Sequence, residues 1–221
     1  VEGAVPNGTP TAARGIAVKL WAAARSEFSL RGYHGARVQG IARRAGCNVA
    51  LLYRHWASKK ALYLEVLKAV WTEKSRSIAD LMSRENGATA VVAAYLDTLL
   101  SDPEGAQILV REYLDGGPHL SQLVASDPSL VDDVRKAVSV FGAGNGSALR
   151  TGLDAGLAAL TIGGLAALVA SAPDTARALL DRPVPLDVWR AHLADLLLHG
   201  LVRGDEPGGG GAGPNARADA P

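Results

Sequence analysis

Residues 32–62 constrain this chain more than any other stretch. Val38, Ile41, Ala42 and Ala45 recur at i, i+3, i+4 and i+7, which is one face of a helix about two turns long. Gly46 follows, and glycine enters the left-handed backbone region that ends such a helix in a tight turn. Asn48 suits the N-cap of the next helix, which carries Val49, Leu52, Tyr53 and Trp56 on one side. Ser58 caps a third, longer helix. Two short helices joined by a glycine turn predict a helix-turn-helix, a unit whose second helix has the size to enter a DNA major groove.

The distribution of charge supports that reading. The formal net charge of the 221-residue chain is only +1. Residues 1–60 nevertheless hold ten Lys/Arg (Arg14, Lys19, Arg25, Arg31, Arg37, Arg43, Arg44, Arg54, Lys59 and Lys60) against Glu2 and Glu27, a balance of +8. The remaining residues hold 13 basic and 20 acidic side chains, a balance of −7. A polyanion-binding surface therefore belongs to the N-terminal end.

Hydrophobic content of 48% excludes a mostly disordered chain, and aromatic content of 5% leaves a core of Ala, Leu and Val. Runs of alternating polarity rich in β-branched residues are absent, so the expected class is all-α. The single cysteine, Cys47, excludes an intramolecular disulfide and a Cys-based zinc site, and reads as a small apolar residue in the turn.

Four regions are expected: a flexible arm over 1–10, a helix-turn-helix domain over 11–57, a larger helical domain over 58–203, and a disordered Gly/Pro/Ala tail over 204–221. The first helix runs from about Thr11 to Leu30, with Ile16, Leu20, Ala24 and Phe28 on its inner face and Gly32 ending it. The helix from Ser58 reaches about Met82. Further helices are expected from Gly87 to Pro103, over Glu104–Leu114, from Asp127 or Ser126 to Phe141, and from Leu186 to Val202. Gly142 to Gly146 reads as a loop, since no strand precedes it and no Lys-Ser/Thr follows, as a phosphate loop would need. Residues 155–172 are almost wholly apolar, but their Ala and Gly content fits a buried helix better than a membrane span.

The residue string is more specific than the motif. Ile41-Ala42-x-x-Ala45-Gly46, Leu52-Tyr53-x-His55-Trp56 and Ser58-Lys59-Lys60-x-Leu62 resemble the N-terminal DNA-binding region of the TetR family of transcriptional regulators, over about Ala13 to Val70. The resemblance places Tyr53, His55 and Lys59 at positions that touch the DNA backbone. Candidates for reading bases are Arg37 and Gln39 on the first short helix and Val49, Ala50, Leu51 and Arg54 on the second; Arg and Gln have bidentate geometry for guanine and adenine. Two features depart from the family pattern. The exposed tip of the second helix carries Val49-Ala50-Leu51 where small polar residues and a glycine are common, and Ala36-Arg37 stands where Ser or Thr commonly caps the first.

The resemblance also implies a homodimer formed through about 148–172 and 186–202, and a cavity for a small-molecule effector of unknown identity. Polar and apolar candidates for that cavity are Trp71, Met82, Tyr95, Arg111, Glu112, Tyr113 and His119. The implied function is a cytoplasmic repressor that binds a palindromic operator and is released by the effector, without cofactor, metal or membrane. Three other readings stand beside it: a DNA-binding protein with no inducer, an α-helical enzyme, and a membrane-associated protein using 155–172. The five histidines show no metal-ligand spacing and there is no nucleophile motif, which speaks against an enzyme.

Overall fold

A computed structural model of the chain describes residues 11–84, 93, 96–143, 154–171, 178 and 180–201. Residues 1–10, expected as an arm, residues 144–153, Tyr95 and the residues from 204, expected as a tail, lie outside the described residues, as does the side chain of Met82. The described residues are helical, with no strand among them. In chain order the helices are α1 (Thr11–Gly35), α2 (Val38–Arg44), α3 (Val49–His55), α4 (Lys59–Arg84), α5 (Pro103–Leu114), α6 (Pro118–Ser126), α7 (Asp132–Ala143), α8 (Ala155–Ser171) and α9 (Leu186–Leu201). Residues 96–100 are also helical.

The local signals hold. Gly46 takes φ +71°, and the Asn48 side chain accepts from the Leu51 amide at 2.9 Å, capping α3. Ser58 Oγ accepts from the Ala61 amide at 3.0 Å at the start of α4. Gly32 breaks helical geometry (φ 65°, ψ 179°), but a further turn continues α1 to Gly35 beyond that kink, five residues past the expected end. The helix expected to begin at Asp127 is replaced by a 3₁₀ turn, Pro128–Val131, before α7. Asp127 caps neither element with its side chain; the carboxylate instead accepts from Ser129 Oγ at 2.6 Å and Lys68 Nζ at 3.0 Å.

Two apolar cores result. The first gathers Leu20, Ala24 and Phe28 of α1, Ile41 of α2, Leu52 of α3, and Trp56. It continues without a gap into Leu62, Tyr63, Val66, Leu67 and Val70 of α4, and takes in Ile108, Leu109 and Leu123. The expected division near residue 57 falls within this core, between Trp56 and Leu62. The second core joins Leu96, Leu99, Leu100 and Ala106 to Ile162 and Ala166 of α8 and Leu193 and Leu197 of α9.

The apolar helix α8 is only partly covered. Ile162 and Ala166 are buried, whereas Leu157, Leu160, Leu165 and Leu168 are exposed. On α9 Leu193 and Leu197 are buried while Leu186, Val188 and Leu196 face outward. The expectation of a buried helix thus fails for one face of α8 in the single chain, because nearly all its residues are apolar and only part of its surface meets α5, α7 and α9. Among the described residues no helix is long and apolar enough to cross a membrane.

Candidate nucleic-acid interface

The first core holds α2 and α3 by their inner faces, which decides what each presents outward. Ile41, Ala42 and Leu52 are buried, so Gln39 and Arg43 on α2 and Ala50, Tyr53 and Arg54 on α3 are exposed. Positions 50, 53 and 54 share one helical face. Arg37 sits at the N-cap of α2 in extended geometry, its side chain exposed and making no capping bond. Val49, Leu51 and His55 are half-buried, and the His55 ring leans on Trp56 at 5.5 Å between centroids. The apolar tip expected at Val49-Ala50-Leu51 is thus reduced at the surface mainly to Ala50. Tyr53 is 48% exposed, so it is no core aromatic.

An open hollow of about 570 Å³ lies beside these residues, lined by Glu27, Arg31, Gly35, Arg37, Gln39, Gly40 and Arg43. Buried Glu27 is its fixed anion. Arg31 Nε approaches Glu27 Oε1 at 3.1 Å and Arg44 Nη2 approaches Oε2 at 3.7 Å, while Arg44 also donates to Ser26 Oγ at 3.0 Å. These contacts tie α1 to α2 and hold two guanidinium groups at the basic surface. Arg31 and Arg43 extend the candidate set beyond the residues singled out from the sequence. Arg43 could have been found there, since it stands four residues after Gln39 on the same face of α2.

Lys59 is placed differently from a free phosphate ligand. Its ammonium donates to the Ala36 carbonyl at 3.0 Å and lies 4.6 Å from the centre of the Tyr33 ring. It therefore fastens the start of α4 to the entry of α2.

Of the residues expected around an effector cavity, Trp71, Arg111, Glu112 and His119 make contacts that the structure describes. Arg111 donates from Nε to the Ser29 carbonyl at 3.0 Å and from Nη2 to the Leu30 carbonyl at 2.9 Å, holding α1 just before its kink. Glu112 is 1% exposed. Its Oε1 accepts from the backbone amides of His119 (2.6 Å) and Leu120 (2.9 Å), and its Oε2 accepts from the Tyr63 hydroxyl at 3.0 Å. The His119 ring closes the set, with Nδ1 at 3.1 Å from Oε2. The carboxylate thereby serves amides that the first turn of α6 leaves without helical partners. Trp71 donates to the Leu130 carbonyl at 2.7 Å, and Tyr113 is exposed. The structure thus places Arg111, Glu112 and His119 at the junction between α1, α4, α5 and α6. Partners distant in sequence recruit them there, which spacing along one helix does not reveal.

Burial, reinforced by the neighbouring Glu112 carboxylate, pushes the Tyr63 phenol well above the ordinary tyrosine range. A raised folded-state value means that the contribution of Tyr63 to stability is intact below that range and is lost as pH climbs through it. The stability advantage of the native chain over Tyr63→Phe should accordingly shrink between pH about 9 and about 11. Urea denaturation of both proteins across that window checks it; a constant difference would refute the assignment.

Among the described residues no group of three or more His, Cys, Asp or Glu side chains could hold a metal ion. Comparison with known proteins matches the surface instead. Residues 20–66 fit the model of bacterial regulatory proteins of the tetR family. The HTH-type transcriptional activator FasR of Mycolicibacterium smegmatis is 28% identical over 174 residues, covering 76% of this chain and 74% of that protein. The HTH-type transcriptional regulator RutR of Escherichia coli O157:H7 is 27% identical over 139 residues, 60% of this chain and 65% of its own length. A transcriptional-regulator structure from Streptomyces coelicolor superposes with a TM-score of 0.55 at 25% identity, covering 83% of this chain and 96% of that one. The same fold appears in the ketosteroid transcriptional regulator KstR2 of Mycobacterium tuberculosis (TM-score 0.62, 19% identity, 91% and 100% covered). It appears again in the regulator FadR of Bacillus subtilis in complex with stearoyl-CoA (0.58, 18%, 83% and 98%). Residues 20–66 thus match the DNA-binding region of the tetR family of regulatory proteins, and the helical body shares the fold of solved transcriptional regulators.

Proposed function

We propose that this chain is a homodimeric repressor that binds a palindromic operator and is released from it by a small molecule. The observation that carries the reading is the exposure of Gln39 and Arg43 on α2, with Arg37 at its N-cap, and of Ala50, Tyr53 and Arg54 on α3. Arginine and glutamine supply bidentate donors for base edges, and the Tyr53 phenol and surrounding guanidinium groups supply donors for phosphates. His55 and Lys59 belong to the same proposal as backbone-contacting residues, with the Lys59 ammonium also bonded to the Ala36 carbonyl.

A seven-residue reading helix covers too few base pairs to select a site alone, so two copies with half-sites roughly 34–36 Å apart, or a multiple of that, follow. The outward faces of α8 and α9 are the surfaces that pair them. An effector in the helical body would favour one separation of the reading heads over another and shift the DNA-bound population. That FadR holds stearoyl-CoA on the same fold supports an effector of appreciable size. The likeness to FasR, an activator by name, favours a second reading in which the same dimer recruits transcription instead of blocking it.

Selection of bound sequences from a random duplex pool with the purified chain tests the proposal. The native protein should enrich an inverted repeat, and Arg37→Ala or Gln39→Ala should relax preference at particular base positions. Absence of any enriched sequence overturns specific operator binding. A uniform loss with either variant would reassign that residue to the DNA backbone.

A further inference from the structure

We propose that Glu112 is a positioning residue for DNA binding, setting the placement of Lys59 and of the entry to α2 through Tyr63, His119 and Tyr33.

The chain of contacts is continuous and short. Glu112 fixes the Tyr63 hydroxyl and the His119 ring by the bonds described above. Tyr33 lies against both rings, 4.4 Å from His119 and 5.0 Å from Tyr63 between centroids, and Phe28 of α1 closes the far side of Tyr63 at 4.9 Å. The other face of this aromatic group carries the Lys59 ammonium, 4.6 Å from the Tyr33 ring and bonded to the Ala36 carbonyl. Ala36 immediately precedes Arg37, so the last bond in the chain holds the peptide that launches α2.

The physics of each link makes the series stiff. A buried carboxylate whose oxygens are both engaged cannot move without leaving donors unpaired, and packed rings cannot slide without opening a void. Arg111, the preceding residue of α5, grips α1 before its kink, so the same turn of α5 holds both sides of the reading unit. A shift of α5 therefore reaches α2 through fixed contacts. The DNA-affinity part of the test rests on the function proposed above; the structural part does not.

Amide hydrogen exchange of the full chain compares the native protein with Glu112→Gln, with Tyr63→Phe and with Leu193→Ala, the last weakening only the second core. Glu112→Gln should speed exchange in residues 33–45 and 56–63 by about tenfold, the scale of one lost buried hydrogen bond, while α8 and α9 stay unchanged. Tyr63→Phe, which removes a single donor and keeps the ring, should do the same to a smaller degree. Leu193→Ala should leave 33–63 as in the native chain. In parallel, affinity for a duplex of about 30 base pairs should fall roughly three- to tenfold for Glu112→Gln.

Faster exchange confined to residues 112–126, or unchanged exchange over 33–63 in both variants, overturns the proposal. Equal loosening of 33–63 by Leu193→Ala overturns it too, since general destabilisation would then explain the effect. If the native chain binds no duplex, the DNA reading fails while the exchange data still decide the coupling.

Discussion

Arginine at both Leu160 and Leu196 is expected to yield a folded monomer whose affinity for operator DNA is lower by about two orders of magnitude or more. Leu160 is 70% exposed on α8 and Leu196 is 55% exposed on α9. Neither side chain supports the interior of a single chain, so a charged replacement costs the monomer little. At a dimer interface the same two side chains would be shielded from water, and four guanidinium groups, two from each copy, would be buried without counter-charges. Linked half-sites gain about 10²–10⁴ in affinity over a single one, and that gain disappears with the dimer. Light scattering gives the first readout, against a chain mass of 22.9 kDa, and fluorescence anisotropy with selected DNA gives the second. A double variant that remains dimeric would show that the paired surface lies elsewhere. A native chain that is already monomeric would remove the dimer from the proposed function.

Asp102→Ala should cost about 3–5 kcal/mol of stability, the loss expected when one partner of a buried charge cluster is removed. Asp102 Oδ2 receives the Arg25 guanidinium of α1 and lies 3.6 Å from the Lys74 ammonium of α4, while its Oδ1 accepts from the Gly105 amide at 3.1 Å to cap α5. Lys74 is buried and also donates to the Thr98 carbonyl at 2.6 Å. One carboxylate thus joins three helices, and its removal takes the counter-charge from buried Lys74, leaves Arg25 with Glu104 at 3.7 Å, and deletes the α5 cap. Burial lowers the Lys74 pKa, and Asp102 acts against that shift. Without Asp102 the value falls further, so Lys74 in the variant sheds its proton more readily than in the unfolded chain. The deficit of the variant should therefore shrink as pH rises toward the ordinary lysine range. Asp102→Asn keeps an acceptor for the cap and should recover part of the loss. Urea denaturation at two pH values measures all of this, and a deficit below about 1 kcal/mol would place the cluster among exposed ion pairs of little weight.

The helix-turn-helix was legible because its signals are local. A left-handed glycine, an Asn cap three residues from its acceptor amide and a Ser cap three residues from its own all act within one turn. The periodicity of Ile41, Ala42 and Leu52 named the inner faces correctly for the same reason. Exposure at the reading tip was less legible. Val49 and Leu51 flank Ala50 in sequence, yet α3 turns both partly toward the protein.

The contacts least legible in the sequence lie at the junction. The chemistry of Arg111, Glu112 and His119 suits contact with an effector. Their partners, Ser29, Leu30 and Tyr63, lie far away in sequence, and no periodicity links a carboxylate on α5 to a phenol on α4. The partners of Lys59 are equally remote from sequence periodicity, since its acceptor is the carbonyl of Ala36 and its neighbour the ring of Tyr33.

By itself, the sequence determined the all-helical class, the helix-turn-helix with its caps and glycine turn, and the basic N-terminal end. Tertiary structure alone decided which side chains on α2 and α3 remain free and how α5 is locked to α1 and α4. It also decided that α8 and α9 each keep an uncovered apolar face. The difference is one of range: caps, turns and helical periodicity are settled between residues a few positions apart, whereas a buried ion, a ring stack or an exposed leucine depends on which distant element arrives beside it.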